Sequence, residues 1–543
     1  MKILLFYILL TLIPILNTFK CGNNIIKAPT IKTIKLTDSL KEIRKLTLEF
    51  HPISIYIDTE ILISQYQQGI ITENYYINIY KALNKTCTYL SKLINVDFTY
   101  SIQLQPSFFG TSDDEYILRN EVPFITNNSI NTDLILIPKI YQIDKVDAAA
   151  FPIAIGSYNK RPIAGGILLG KHYDFNKKNS EKYLIMLLLH EITHILAFNN
   201  NLYEIFPSGI NIIKRKINNE DRFLFQGKNV LKQAKRHFNC DSIEGIELEN
   251  QGGIGSFGSH WEARVMLGDY MISTDYPEIT ISEITLALLE DSGWYTVNYY
   301  TGGLFRFGKG LGCSFLNSSC IRDDMSLFGR EFCLNENEER CSSGNIDRGF
   351  CYIVKYDNIP ENYQYFKNNK KGGFLPSDYC PVSISYPHQN YYFYSRCDSN
   401  GDNYNNLPLH YGEIYGKNSI CVLSSLLPKN YENLNKKEAR CHKIECDYFN
   451  KSFTIDIGDF LLNCSGKYEE VKVENYTGSI ICPDYNRVCT GSVWCNDPLE
   501  CIDLESYYDM SNDTSVNEVI GKKNICQWVY FSFWIFGFFV LMF

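Results

Sequence analysis

From Glu181 to Phe198 the chain reads EKYLIMLLLHEITHILAF, eighteen residues with neither glycine nor proline. A run of this length and apolarity is read as a buried helix of about five turns. It carries His190-Glu191-Ile192-Thr193-His194. Residues four apart share one helical face, so both imidazoles can reach a single ion. Glu191 stands about 100° round from His190, where it can address a water held by the ion without being a ligand. Zinc lowers the pKa of such a water, and a nearby carboxylate takes its proton as it attacks a carbonyl. With 9 histidines in the chain, chance supplies about 0.01 such pentads. The plainer alternative is a pair of core histidines on an apolar helix. The pattern points instead to a zinc protease with one Zn2+ per chain.

Such a site needs a third protein ligand. The short metzincin arrangement, with glycine three and histidine six residues after the second histidine, is absent, because Ala197 and Asn200 stand there. Two candidates remain open. Glu220, in Asn219-Glu220-Asp221-Arg222-Phe223, resembles the pattern of proteases with a glutamate ligand, but its charged surroundings suit a solvated face. His260 follows the glycine-rich stretch 252–259, whose backbone freedom allows an abrupt path toward a fixed ion. His237 lies in Lys235-Arg236-His237, where positive neighbours disfavour a cation.

The ends of the chain bear on its compartment. Met1 and Lys2 precede a mostly apolar run to Leu16, which reads as a secretory signal peptide over residues 1–20 and is short for a membrane span. The chain closes on the apolar run Trp528–Phe543, preceded by a polar spacer, 516–524, and a small-residue cluster, Ser511–Ser515. Together these read as a GPI-attachment signal over 511–543, with a single C-terminal span as the alternative. Asn84, Asn127, Asn317, Asn450, Asn463, Asn475 and Asn512 each open an Asn-x-Ser/Thr triplet, consistent with export of a glycoprotein. The formal charge of −9 argues against nucleic acid as a main partner.

Fifteen of the 19 cysteines fall between Cys313 and Cys501, a density that points to an oxidising compartment. Setting aside Cys526 in the tail, and Cys21 and Cys87 upstream, leaves sixteen, enough for eight disulfides whose connectivity the sequence does not give. No Cys-x-x-Cys pair occurs, so a zinc-ribbon cluster fits poorly. Cys87 reads as a latency switch, a partner for Cys21 or an idle thiol.

Gly258-Ser259-His260-Trp261-Glu262 followed by Gly268-Asp269-Tyr270-Met271 resembles the leishmanolysin family of surface metalloproteases. Arg161-Pro162-Ile163-Ala164-Gly165-Gly166, Leu289–Tyr295 and Gly308–Cys313 extend the resemblance, which runs from about Asp97 to Cys501. In that family the third histidine is displaced by an insertion of about sixty residues and a methionine turn lies beneath the zinc. The resemblance therefore implies His190, His194 and His260 as zinc ligands, Glu191 as catalytic base and Met271 as the turn methionine. It implies an α+β fold: a metzincin-type catalytic domain split into an N-terminal subdomain (97–199) and a central subdomain (200–312), then a disulfide-rich mixed α/β domain (313–510). It implies a removable propeptide, placed at 21–96 with its end near Leu93–Asp97, and hence a zymogen. It also implies endopeptidase action on protein or peptide substrates at the extracellular face of the plasma membrane, held there by GPI. Oligomeric state is not implied. The family usually has glycine where Ala197 stands; if a positive φ were required, alanine would cost about 1 kcal/mol. The large cysteine-rich region and Ala197 motivate a rival reading, a non-enzymatic adhesin or coat protein on a protease scaffold, against which the intact ligand set argues.

Overall fold

Two apolar strands, Leu134–Tyr141 and Pro162–Gly170, lie in the middle of a five-stranded sheet. We label its strands β1 (Lys32–Ile34), β2 (Ile55–Ile57), β3 (Leu134–Tyr141), β4 (Ala148–Gly156) and β5 (Pro162–Gly170). Their order is β1-β4-β5-β3-β2, with β4 antiparallel to β5 and the other pairs parallel. Every residue of β4 and β5 is buried, as strands covered on both faces require. The computed structural model describes residues 31–34, 50–489 and 499, except 105–127, 142–146, 172, 178, 218–219, 251–256, 275, 277, 300–302, 387–394, 399–411, 430–435, 448, 459 and 466–467.

Helices α1 (Glu60–Gln67), α2 (Glu73–Leu93) and α3 (Ser180–Leu196) cover the sheet. Thr72 caps α2 by accepting from the Tyr75 N–H, and Ile79, Leu83 and Leu90 line its buried face against α3. Residues 51–96 supply β2, α1 and α2, and Ile94–Val96 pairs with both His51–Pro52 and Thr296–Val297. A cut after Leu93 would strip a sheet strand and the helix against α3 from the fold.

Residues 200–312 add a second sheet, β6 (Asn211–Ile217), β7 (Glu220–Gln226) and β8 (Ile246–Leu248), with helix α4 (Lys228–Phe238) between its last two strands. Helix α5 (Glu283–Asp291) packs against α4. Its Asp291 carboxylate accepts from the Asn229 and Val230 N–H groups at 2.8 Å each, satisfying free donors at the α4 N-terminus. One apolar core takes in residues from Ile53 to Leu499, Phe332, Phe374 and Val382 among them. No break in the core coincides with residue 313.

A separate core forms around Ile420, Phe453, Ile455 and Ile480, beneath a six-stranded antiparallel sheet built from residues 419–481. α-Helix in this last third is limited to Cys313–Asn317 and Tyr485–Val488 among the described residues, so it is more β-rich than the mixed α/β domain expected. Disulfides compensate for the thin core. Cys240–Cys313 joins α4 to the start of this region, and six more bridges lie within 320–489: Cys320–Cys380, Cys333–Cys351, Cys341–Cys421, Cys397–Cys441, Cys446–Cys489 and Cys464–Cys482. Cys495 and Cys501, left for the eighth expected bridge, lie outside the described residues, as do Cys21, Cys526 and both apolar chain ends. Among the described residues no helix is long and apolar enough to cross a membrane. Asn84, Asn317, Asn450, Asn463 and Asn475 are all exposed; Asn127 and Asn512 lie outside the described residues.

Candidate metal centre

Helix α3 is buried from Tyr183 to Leu196, and a glycine lets it come close to the sheet. A Cβ on Gly165 of β5 would stand 2.5 Å from side-chain carbons of Ile195, the neighbour of His194. At its far end the helix is closed by Ala197, whose N–H donates to the Thr193 carbonyl. The Tyr295 hydroxyl donates to the Leu196 carbonyl at 3.2 Å. Ala197 has φ −160°, an extended value open to any residue. The strain expected of alanine at this position is therefore absent.

His190 and His194 are fixed through their Nδ1 atoms. His190 Nδ1 lies 2.6 Å from the Tyr270 carbonyl, and His194 Nδ1 lies 2.8 Å from the Phe198 carbonyl. A carbonyl only accepts, so each Nδ1 carries the proton and each Nε2 presents a lone pair. Burial pushes the His190 imidazolium well below its usual range and that of His194 down to about 4, so both rings are neutral near pH 7.

The third ring arrives by backbone pairing. The Glu249 N–H donates to the His260 carbonyl at 2.8 Å, and the Glu262 N–H donates to the Glu247 carbonyl at 2.9 Å. The stretch 260–262 is thus an antiparallel continuation beside β8. On its other side the Trp261 N–H donates to the Met271 carbonyl at 3.0 Å. His190 Nε2 then lies 3.0 Å from His194 Nε2 and 3.3 Å from His260 Nε2. Ligating atoms of the three histidines lie within 4.8 Å of one another, and all three rings are buried. Nitrogen ligands at about 2.0–2.1 Å in tetrahedral array are about 3.3 Å apart. Two Nε2 lone pairs facing each other at this range repel unless a cation lies between them. The donor set therefore fits a zinc-sized ion.

Glu191 is fully buried beside His190. Met271 is buried in the same core, and its N–H donates to Asp269 Oδ1 at 2.7 Å, which closes the turn. An apolar cleft lined by Tyr183, Met186, Leu187, Thr274 and Ile279 opens beside His190. Glu220 begins β7, the middle strand of its sheet. His237 is buried on α4 with Nε2 2.8 Å from the Phe307 carbonyl, and burial lowers its pKa to about 3. Cys87 is a free, buried thiol on α2 pushed up to about 12 by burial, the opposite of what a metal-seeking thiolate requires. Sequence reasoning missed Tyr270, whose carbonyl orients His190 and whose hydroxyl lies 3.0 Å from Thr193 Oγ1. A main-chain acceptor leaves no trace in residue identity.

Comparison with known proteins bears on this geometry. Residues 114–495 match the family model described as leishmanolysin. The chain belongs to the leishmanolysin peptidase family. It is 25% identical to leishmanolysin of Leishmania major over 324 residues, covering 58% of this chain and 52% of that protein. It is 27% identical to the leishmanolysin-like peptidase of Drosophila melanogaster over 407 residues, covering 61% and 58%. The match to the leishmanolysin-like peptidase of Caenorhabditis elegans is 26% over 422 residues, covering 62% of each. The chain thus spans about half the length of the Leishmania relative. In this leishmanolysin family member the three histidines form one buried group, and Met271 is buried as well.

Proposed function

We propose that this protein is a zinc-dependent endopeptidase, with His190, His194 and His260 holding the metal and Glu191 acting as general base. The observation that carries this reading is the convergence of three buried imidazoles whose Nε2 atoms face one another at 3.0 and 3.3 Å. When bound, the metal supplies Lewis acidity toward a peptide carbonyl oxygen and lowers the pKa of water. Glu191 takes the proton from the attacking water and passes it to the leaving amine. The Tyr270 and Phe198 carbonyls keep the ring protons on Nδ1, so the histidines remain ligands.

We further propose that the two catalytic parts, 97–199 and 200–312, work as subdomains around this centre, and that the protein is exported, GPI-held and made as a zymogen. Seven disulfides and five exposed sequon asparagines support the oxidising route. Strand β1, from the segment upstream of His51, pairs along the outer edge of β4, which supports an N-terminal segment that occupies the sheet edge until it is removed.

The test uses the purified ectodomain and a casein substrate. Cleavage should require zinc, stop with 1,10-phenanthroline, and fall by about 10²–10⁴-fold in Glu191→Ala with zinc retained. Glu191→Ala cleaving as fast as wild type would refute the mechanism. Zinc retained in His260→Ala but lost in Glu220→Ala would overturn the ligand set.

A further inference from the structure

The third histidine depends on a buried ion cluster that reaches into the disulfide-rich region. Arg222 on β7 is 4% exposed, and its Nη1 contacts both Glu247 Oε1, at 3.1 Å, and Asp378 Oδ2. Glu247 and Asp378 are equally hidden, at 4% and 0% exposed. The Arg222 guanidinium also lies 5.7 Å from the Tyr363 ring centroid. Glu247 belongs to β8, and its carbonyl accepts the Glu262 N–H, two residues from His260, while Glu249 holds the His260 carbonyl. Asp378 sits in a turn closed by the Phe374 N–H to the Cys380 carbonyl, and Cys380 is bonded to Cys320. One cation thus joins the strand beside His260 to a turn 156 residues beyond Arg222 itself.

We propose that Arg222 is a positioning residue for the metal centre: with Asp378 and Glu247 it locks β8, and so sets where His260 meets the other two rings. The inference rests on the zinc reading above and extends it to a role for the region after residue 313. A buried carboxylate–guanidinium cluster suits this task because removing one partner strands a charge away from water. The backbone that shares those carboxylates then has to shift. A ligand ring moved by a fraction of an ångström no longer completes a tetrahedron.

The test measures zinc affinity by competition with a chelating dye and the visible absorption of the cobalt-substituted protein, with near-ultraviolet circular dichroism to confirm folding. Arg222→Gln and Asp378→Asn should each weaken zinc binding about 10–100-fold, as loss of an outer support does, and should alter the cobalt bands. Asp378→Asn keeps shape and volume and carries the test alone if Arg222→Gln does not fold. Arg222→Lys retains a cation between the two carboxylates and should restore affinity to within a few-fold of wild type. Glu331→Gln breaks a buried pair of the same kind, with Arg487, away from β8 and should leave affinity and spectrum unchanged. Folded Asp378→Asn with wild-type zinc affinity and cobalt bands would overturn the proposal. So would equal weakening in Glu331→Gln, which would mark the effect as general destabilisation. A wild-type chain that takes up no zinc would overturn the underlying reading and this inference with it.

Discussion

The two ends of the described chain are held together by different physics. Around the histidines, residues 51–312 rely on one large apolar core and on backbone hydrogen bonds to side chains. The only disulfide that touches this part is Cys240–Cys313, and its one other described cysteine, Cys87, is a buried free thiol. Beyond residue 313 the large core still takes in Phe315, Phe332, Phe374 and Val382, but the cores that belong to this region alone are small and six disulfides take over. The proposed zinc site, made of imidazoles, gains from the separation, since a reactive thiolate nearby would compete as a ligand. The region with thin cores gains from cross-links, which act on the unfolded chain and demand little apolar volume.

Four changes probe this division. Removing Cys464–Cys482 by a double Cys→Ser change should lower stability by about 3 kcal/mol, given the short loop it closes, while zinc affinity stays at the wild-type value. Loss of zinc in that variant would show that the far sheet also sets the metal geometry. In the other half, Gly165→Val drives a side chain into Ile195 and should cost about 1–3 kcal/mol. Here zinc binding should weaken as well, because α3 is pushed off the sheet; calorimetry with zinc titration reads both effects.

The third change concerns pH. Asp347, in the cysteine-rich half, is fully buried with neither carboxylate oxygen hydrogen-bonded, and burial raises its pKa from 3.8 to about 7. The folded state therefore holds this proton more tightly than the unfolded chain. Its stabilising effect is complete below pH 3.8 and is lost as pH rises through about 7. Asp347→Asn should raise the Tm at pH 8, worth about 1–2 kcal/mol, and flatten the slope between these values. An unchanged slope would mean that another group carries it. The smallest effect belongs to Ala197→Gly. Because φ is already −160°, glycine relieves nothing and should cost at most about 1 kcal/mol in added chain entropy; stabilisation would contradict the geometry.

What the sequence disclosed follows the range of the interactions involved. The α3 run and its histidine pair are local features, and spacing alone places both rings on one face. The assignment of His260 needed family resemblance, because closure over sixty-six residues depends on β8 and Met271 pairing with 260–262. The amphipathic stretch of α2 gives no hint of what it packs on, and only the fold sets it against α3 while β2 joins the sheet. Arg222 and Asp378 are ordinary surface residue types in sequence, and only the fold buries them together.

The wide spacing of the ligands also has a consequence for biosynthesis. As the chain leaves the ribosome, His190 and His194 emerge first and can offer an ion only two nitrogens. The third donor of the proposed site, sixty-six residues later, lies next to Trp261, whose N–H bonds the carbonyl of Met271, later still in the chain. A growing chain is thus without a complete coordination sphere for about seventy-five further residues, some four to fifteen seconds at about 5–20 residues per second. Metal loading is thereby coupled to completion of the domain.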